Sequence, residues 1–119
     1  MILSDGLAIA SYTRGVHQDG WIGRETTLHL LLYERFGGLV AALWIPQDHE
    51  PRSVLLATDD WVDSAEIRPG ELSEYRIPCA PDDRGLSLRI TIPEARSASP
   101  LDERVLGAVL HSIIGVPDA

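Results

Sequence analysis

The feature that most constrains this chain is a recurring short segment in which every second residue is apolar, bounded by glycine, proline or aspartate. Leu86-Ser87-Leu88-Arg89-Ile90-Thr91-Ile92 is the clearest case. Side chains alternate across a strand, so this pattern gives one apolar and one polar face, which describes a half-buried β-strand. Thr26 to Tyr33 and Gly38 to Ile45 are further strands, and the four residues Glu34-Arg35-Phe36-Gly37 between them suit an antiparallel hairpin. Ser53 to Thr58 is stopped by Asp59-Asp60, and Leu72 to Pro78 is introduced by Arg68-Pro69-Gly70 and closed by Pro78 and Pro81. Leu7 to Thr13 reads as an edge strand. Turn signals at this density predict an all-β, antiparallel β-sandwich or barrel of about seven to eight strands.

The last segment gives two incompatible signals. Leu101, Val105, Val109 and Ile113 recur every fourth residue, Ser99 can cap with Pro100 in the first helical position, and Gly115 and Pro117 can stop a helix. Leu106, Ala108, Leu110 and Ile114 alternate almost as well, and Gly107 inside a helix costs about 1 kcal/mol relative to alanine. The local pattern alone leans to helix.

A chain of 119 residues is the size of one domain with one core, and no repeat, low-complexity tract or linker divides it, so residues 1–119 are expected to form a single unit. Eighteen acidic residues against ten arginines and no lysine give a net charge of −8, which repels phosphate backbones and anionic lipid. Nucleic acid is therefore not an expected partner. The arginine-only usage suits a GC-rich bacterial source. Cys79 stands alone, which excludes an intrachain disulfide and points to a reducing, cytoplasmic location. Leu7 to Ala10 is too short for a secretory leader, and no segment approaches a membrane span.

The residues that carry chemistry are scattered. His17, His29, His49 and His111 never stand two or four apart, so the His-x-His pair of the cupin metal enzymes is missing and no metal site is expected. Serine elbows, phosphate-cradling loops and dinucleotide fingerprints are absent, leaving no catalytic assignment. Cys79, between Pro78 and Pro81, reads as a small apolar residue. Asp59-Asp60 and Asp82-Asp83 read as turn formers, with a loosely held Ca²⁺ as the only cofactor such loops suit.

Three tryptophans are more suggestive of binding, because an indole face stacks on a sugar ring. Trp44 falls on a core strand. Trp21 and Trp61 fall in or beside loops, where each is either core packing or a ligand platform. Arg24 and Glu25, beside Trp21, could form a polar rim that donates to and accepts from hydroxyl groups. Asp102 and Arg104 form either a second such pair or a structural clip between the chain ends.

Val16-His17-Gln18-Asp19-Gly20-Trp21-Ile22-Gly23-Arg24 and Asp102-Glu103-Arg104-Val105-Leu106-Gly107 resemble the opening Asp-Gly-Trp and closing Asp-x-Arg signatures of small β-sandwich domains. Those domains accompany bacterial glycosyltransferases and sugar-associated methyltransferases. Leu43-Trp44-Ile45-Pro46 and Ile67-Arg68-Pro69-Gly70 fall in matching order, so the resemblance spans about Tyr12 to Ile114. It implies a jelly-roll-like sandwich and a final strand over 104–114 instead of a helix. It also implies a non-catalytic, carbohydrate-binding-like accessory module of polysaccharide biosynthesis, whose partner is a glycan, a glycan precursor or a polysaccharide-assembly enzyme. Members carry the domain as the tail or insert of a larger enzyme, whereas this sequence spans the domain alone. The alternatives are a protein-interaction or homo-oligomerising module, which needs a contiguous apolar patch, and a small jelly-roll enzyme, which needs His17, His29 and Glu25 to converge.

Overall fold

The computed structural model describes residues 1–10, 14–97 and 104–118. Ten strands follow in chain order: β1 (Ile2–Leu3), β2 (Leu7–Ile9), β3 (Arg14–Val16), β4 (Trp21–Leu32), β5 (Phe36–Trp44), β6 (Arg52–Ala57), β7 (Val62–Ile67), β8 (Ser73–Ile77), β9 (Gly85–Thr91) and β10 (Ala108–Pro117). No helix occurs among the described residues, and none is therefore long and apolar enough to cross a membrane. The fold is all-β, as the alternation in the sequence requires.

Seven strands form one hydrogen-bonded path, β7-β6-β9-β4-β10-β5-β8, with every pair on it antiparallel. The path falls into two runs, because β4 and β10 share only the pairs Ile22 with Ala108 and Trp21 with Val109. Past that seam, β1 lies parallel to β10 and fills its open edge at Ser112 and Ile113. The two ends of the path approach each other, and the Tyr75 hydroxyl of β8 donates to the Glu66 carbonyl of β7 at 2.7 Å. The sheet is thus barrel-like and nearly closed, with a side chain bridging the gap that no ladder spans.

The inward faces of both runs supply the core. Leu28, Leu30 and Leu32 of β4, Leu88 and Ile90 of β9, and Val54 and Leu56 of β6 meet Leu39, Ala41 and Leu43 of β5, Ile77 of β8, and Leu110 and Ile113 of β10. Each of these is essentially inaccessible, which is where the hydrophobic driving force of the fold resides. β9 keeps the expected alternation, with Leu88 and Ile90 buried and Arg89 exposed between them.

Two local expectations are corrected by this topology. β4 and β5 do not pair: β10 lies between them, and residues 33–35 carry the chain from one run to the other. A short polar connection serves a crossover as readily as a hairpin, so loop length alone could not distinguish them. β7 is a strand that the sequence did not announce, since Val62, Asp63, Ser64 and Glu66 are all exposed on an edge and leave no alternation.

The C-terminal conflict resolves as a strand. β10 pairs with β5 from Val109–Trp44 to Pro117–Phe36, with a bulge between Leu110 and Ser112. The four-residue repeat marks no buried face, since Val105 is exposed and Val109 half-buried; Leu106, Ala108 and Leu110 alternate inward, and the bulge then turns Ile113 into the core. Both glycines fit the sheet. A Cβ at Gly115 would fall 2.1 Å from the Phe36 ring, and one at Gly107 would fall 2.8 Å from the Gly23 carbonyl oxygen.

Candidate functional site

The two sequence signatures come together at the seam. Gly20 adopts a φ of +91°, a conformation that favours glycine, and its amide donates to the His17 carbonyl in the tight turn that starts β4. From there the Ile22 carbonyl accepts the Gly107 amide at 2.7 Å and the Gly20 carbonyl accepts the Leu110 amide at 2.9 Å. A backbone bridge between Arg96 and Leu106 delivers the second signature to this place. Arg52, only 5 % exposed, donates its guanidinium to the carbonyls of Leu106 (2.9 Å) and Gly107, so a buried cation is satisfied by backbone oxygens.

Arg104 pairs with Asp19 at 2.8 Å, and that guanidinium holds the Asp19 carboxyl below the usual carboxylate range. Asp102, the partner considered for Arg104 in the sequence, lies outside the described residues. Trp21 is half-buried at the seam opposite Val109, and Arg24 donates to the Ala95 carbonyl at 3.2 Å. Glu25 is exposed and pairs with Thr91 in the β4–β9 ladder. These residues close a joint between backbones, and no cavity described below is lined by Trp21, Arg24 or Glu25.

A different part of the molecule holds a cavity. It has a volume of about 560 Å³ and lies among the β6–β7 turn, the loop from Pro78 to Asp83, and the facing stretches 29–31 of β4 and 85–87 of β9. Trp61 packs against the core and forms the aromatic wall. The turn that presents it is closed by the Thr58 amide donating to the Trp61 carbonyl at 2.8 Å, with Asp59 and Asp60 exposed between them. Register alone places His29 beside Ser87, where the imidazole Nδ1 and the hydroxyl are 2.9 Å apart.

On the opposite wall, Asp83 accepts the Ala80 amide at 2.8 Å with one carboxylate oxygen, the turn-forming role its position suggested. Cys79 donates weakly to the Phe36 carbonyl, and burial, with Asp83 beside it, pushes its thiol above the ordinary value. A thiol held neutral in this way is a poor nucleophile. Asp82 points elsewhere, into an ion pair with Arg35. A shallower groove on the other side of the β6–β7 turn carries Leu55, Val62 and Arg89.

Of the four ligand-binding candidates Trp21, Arg24, Glu25 and Trp61, Trp61 borders this cavity, joined by His29, Cys79, Asp59, Asp60 and Asp83, which the sequence offered for other roles. Trp21 and His29 stand eight residues apart on one extended strand, roughly 26 Å at the usual rise, so the structure separates the two candidate tryptophan regions. The same spacing answers the enzymatic requirement: Glu25 and His29 are about 13 Å apart along β4, and His17 sits in the turn beside Trp21, so the three do not converge. Among the described residues, no group of three or more His, Cys, Asp or Glu side chains could hold a metal ion. Thr58 and Ser87 were not singled out in the sequence, and His29 and Asp83 were weighed there only for other roles, because only strand register and loop packing bring the four together.

Comparison of the chain with protein-family models, curated proteins and solved structures gave no match.

Proposed function

We propose that the protein is a non-catalytic, carbohydrate-binding-like accessory module that takes a glycan or glycan precursor in the cavity beside Trp61. One observation carries this reading: an indole lines a cavity of about 560 Å³ together with hydroxyl, imidazole and carboxylate groups. A sugar ring has an apolar C–H face and a rim of hydroxyls, so it matches a flat aromatic surface on one side and mixed donors and acceptors on the other. The volume lies in the range of small-molecule sites and suits one or two rings. The resemblance to accessory domains of polysaccharide-building enzymes supports the same reading. The seam residues Trp21, Arg24 and Glu25 serve it as scaffold, leaving Trp61 as the platform.

The test is a titration of isotope-labelled protein with a panel of mono- and oligosaccharides, following amide shifts. Saturable shifts at Trp61, His29 and Ser87, abolished by Trp61→Ala and retained in Glu25→Ala, are the expected result. A folded protein that gives no response across the panel would refute the reading.

The interaction module retains one observation in its favour. Ile2 (58 % exposed) lies opposite Ser112, and Ile114 (42 % exposed) follows two residues later on β10, so the two are diagonal neighbours on the outer sheet face. We propose as the competing reading that this face pairs two copies of the chain. Light scattering across a concentration series distinguishes them: a dimer lost in Ile2→Ser with Ile114→Ser supports it, and a monomer throughout removes it.

A further inference from the structure

The two runs of the sheet turn different surfaces outward. Across β7, β6, β9 and β4 the outward positions include Glu66, Ser53, Arg89, Thr27 and Glu25, a largely polar face around Leu55 and Val62. The run of β1, β10, β5 and β8 is different. Val40 and Trp44 alternate with the core residues Leu39, Ala41 and Leu43, and Ile114 and Val116 follow the inward Ile113, so their side chains lie on the outer face. A sheet face left to water is ordinarily polar, and an apolar one marks a surface that another body covers.

Strand register arranges this face in two adjacent rows. Glu74, Ala42, Ser112 and Ile2 stand side by side across β8, β5, β10 and β1. Arg76, Val40 and Ile114 form the next row, and Ser4, one step beyond the Leu3–Ile113 pair, continues it past β10. The first row thus reads acid, small, small, large, and the second base, large, large, small. Ala42 and Ser112 are 2 % and 6 % exposed and lie below the side chains around them, whereas Ile2 and Ile114 stand exposed.

Charge singles out the same rows. A net charge of −8 makes two copies of the chain repel one another over most of their surface. These two rows carry one acid and one base. Glu74 and Arg76 are both exposed, and neither has an ion-pair partner among the described residues.

Resting on the two-copy reading above, we infer that the second copy packs on this face with its strands antiparallel, about a two-fold axis that crosses β8, β5 and β10 between the two rows. Each row then lies on the other row of the second copy. Glu74 meets the partner's Arg76 and Arg76 the partner's Glu74, while Val40 and Ile114 enter the hollows over Ala42 and Ser112. Every contact is made twice, as a two-fold interface requires, and aligned packing of this kind is ordinary for two sheet faces.

Sedimentation equilibrium of the full chain, of Glu74→Arg, of Arg76→Glu and of an equimolar mixture of the two variants tests this arrangement. Each variant alone places like charges opposite one another at both symmetric positions, so its dimer dissociation constant should rise at least about tenfold, and less so at high salt. In the mixture every such position again pairs an acid with a base, so the heterodimer should recover most of the original affinity. Glu66→Arg makes the same change of net charge as Glu74→Arg on the other run of the sheet and should leave the constant unchanged. A dimer that is lost in the double isoleucine variant but indifferent to both charge reversals, or a mixture no tighter than its components, overturns this arrangement and leaves the two-copy reading standing. A monomer at every concentration overturns both.

Discussion

Asp19 and Arg104 stand 85 residues apart in the chain and meet at 2.8 Å, latching the turn before β4 to the segment that leads into β10. The latch flanks the two-residue seam that joins the halves of the sheet, so ionisation at one exposed site is linked to a joint of the whole fold.

Because Arg104 lowers the Asp19 pKa in the folded state, the unfolded chain binds the proton more readily than the folded one. The stabilisation is therefore fully present above the ordinary carboxylate pKa and is lost as pH falls through the lower, folded value. Urea unfolding of the protein and of Asp19→Asn across the acid range should show a gap that is constant near neutrality, closes towards strongly acid pH and narrows with added salt. A gap that widens on acidification would contradict the assignment.

Gly107→Ala places a Cβ 2.8 Å from both the Gly23 carbonyl oxygen and Ile92 Cδ1. The backbone oxygen cannot rotate away, so the seam must open, at a cost of about 1–3 kcal/mol. Gly85→Ala meets only the Leu30 carbonyl at an ordinary 3.5 Å and serves as the control. Chemical denaturation should separate the two variants clearly.

Arg52→Met keeps the apolar stem and removes the guanidinium that bonds the carbonyls of Leu106 and Gly107. The Leu106 carbonyl keeps the Arg96 amide, so the cost, about 1–3 kcal/mol, comes from the lost charge-assisted bonds and falls chiefly on the Gly107 carbonyl. Arg52→Lys should rescue only part of this, because a point charge lacks the planar fork of donors. Amide exchange at Gly107 and Leu110 should accelerate together in the methionine variant.

Tyr75→Phe removes the hydroxyl that bridges β8 to the Glu66 carbonyl of β7. The loss in stability should be about 1 kcal/mol. The larger effect should be on the edge itself: with its carbonyl released, β7 becomes available for pairing with other chains, and the variant should aggregate faster on heating. Unchanged aggregation would show that the acidic residues of β7 already protect that edge.

The functional chemistry was less legible than the strands. Asp59, Asp60 and Asp83 read in the sequence as turn formers, and Asp83 does form its turn; their second property, facing one cavity with Trp61, depends on two loops that meet only in the folded chain. His29 and Ser87 are 58 residues apart and become neighbours through the β4–β9 register.

Alternation in the sequence by itself determined that this chain forms strands and which side chains of β9 and β4 turn inward, because a two-residue period has only two faces and burial selects one. Gly107 was legible only as a poor helix residue; the left-handed turn at Gly20 and the close approach of the Gly23 backbone to Gly107 are set by the fold. Tertiary structure decided the rest: that β10 separates β4 from β5, that the last segment extends and does not coil, that β7 forms an edge, and that Trp61 rather than Trp21 faces a cavity. Strand pairing is a contact between residues distant in sequence, and its energy depends on which partner buries the most apolar surface, which no single segment encodes.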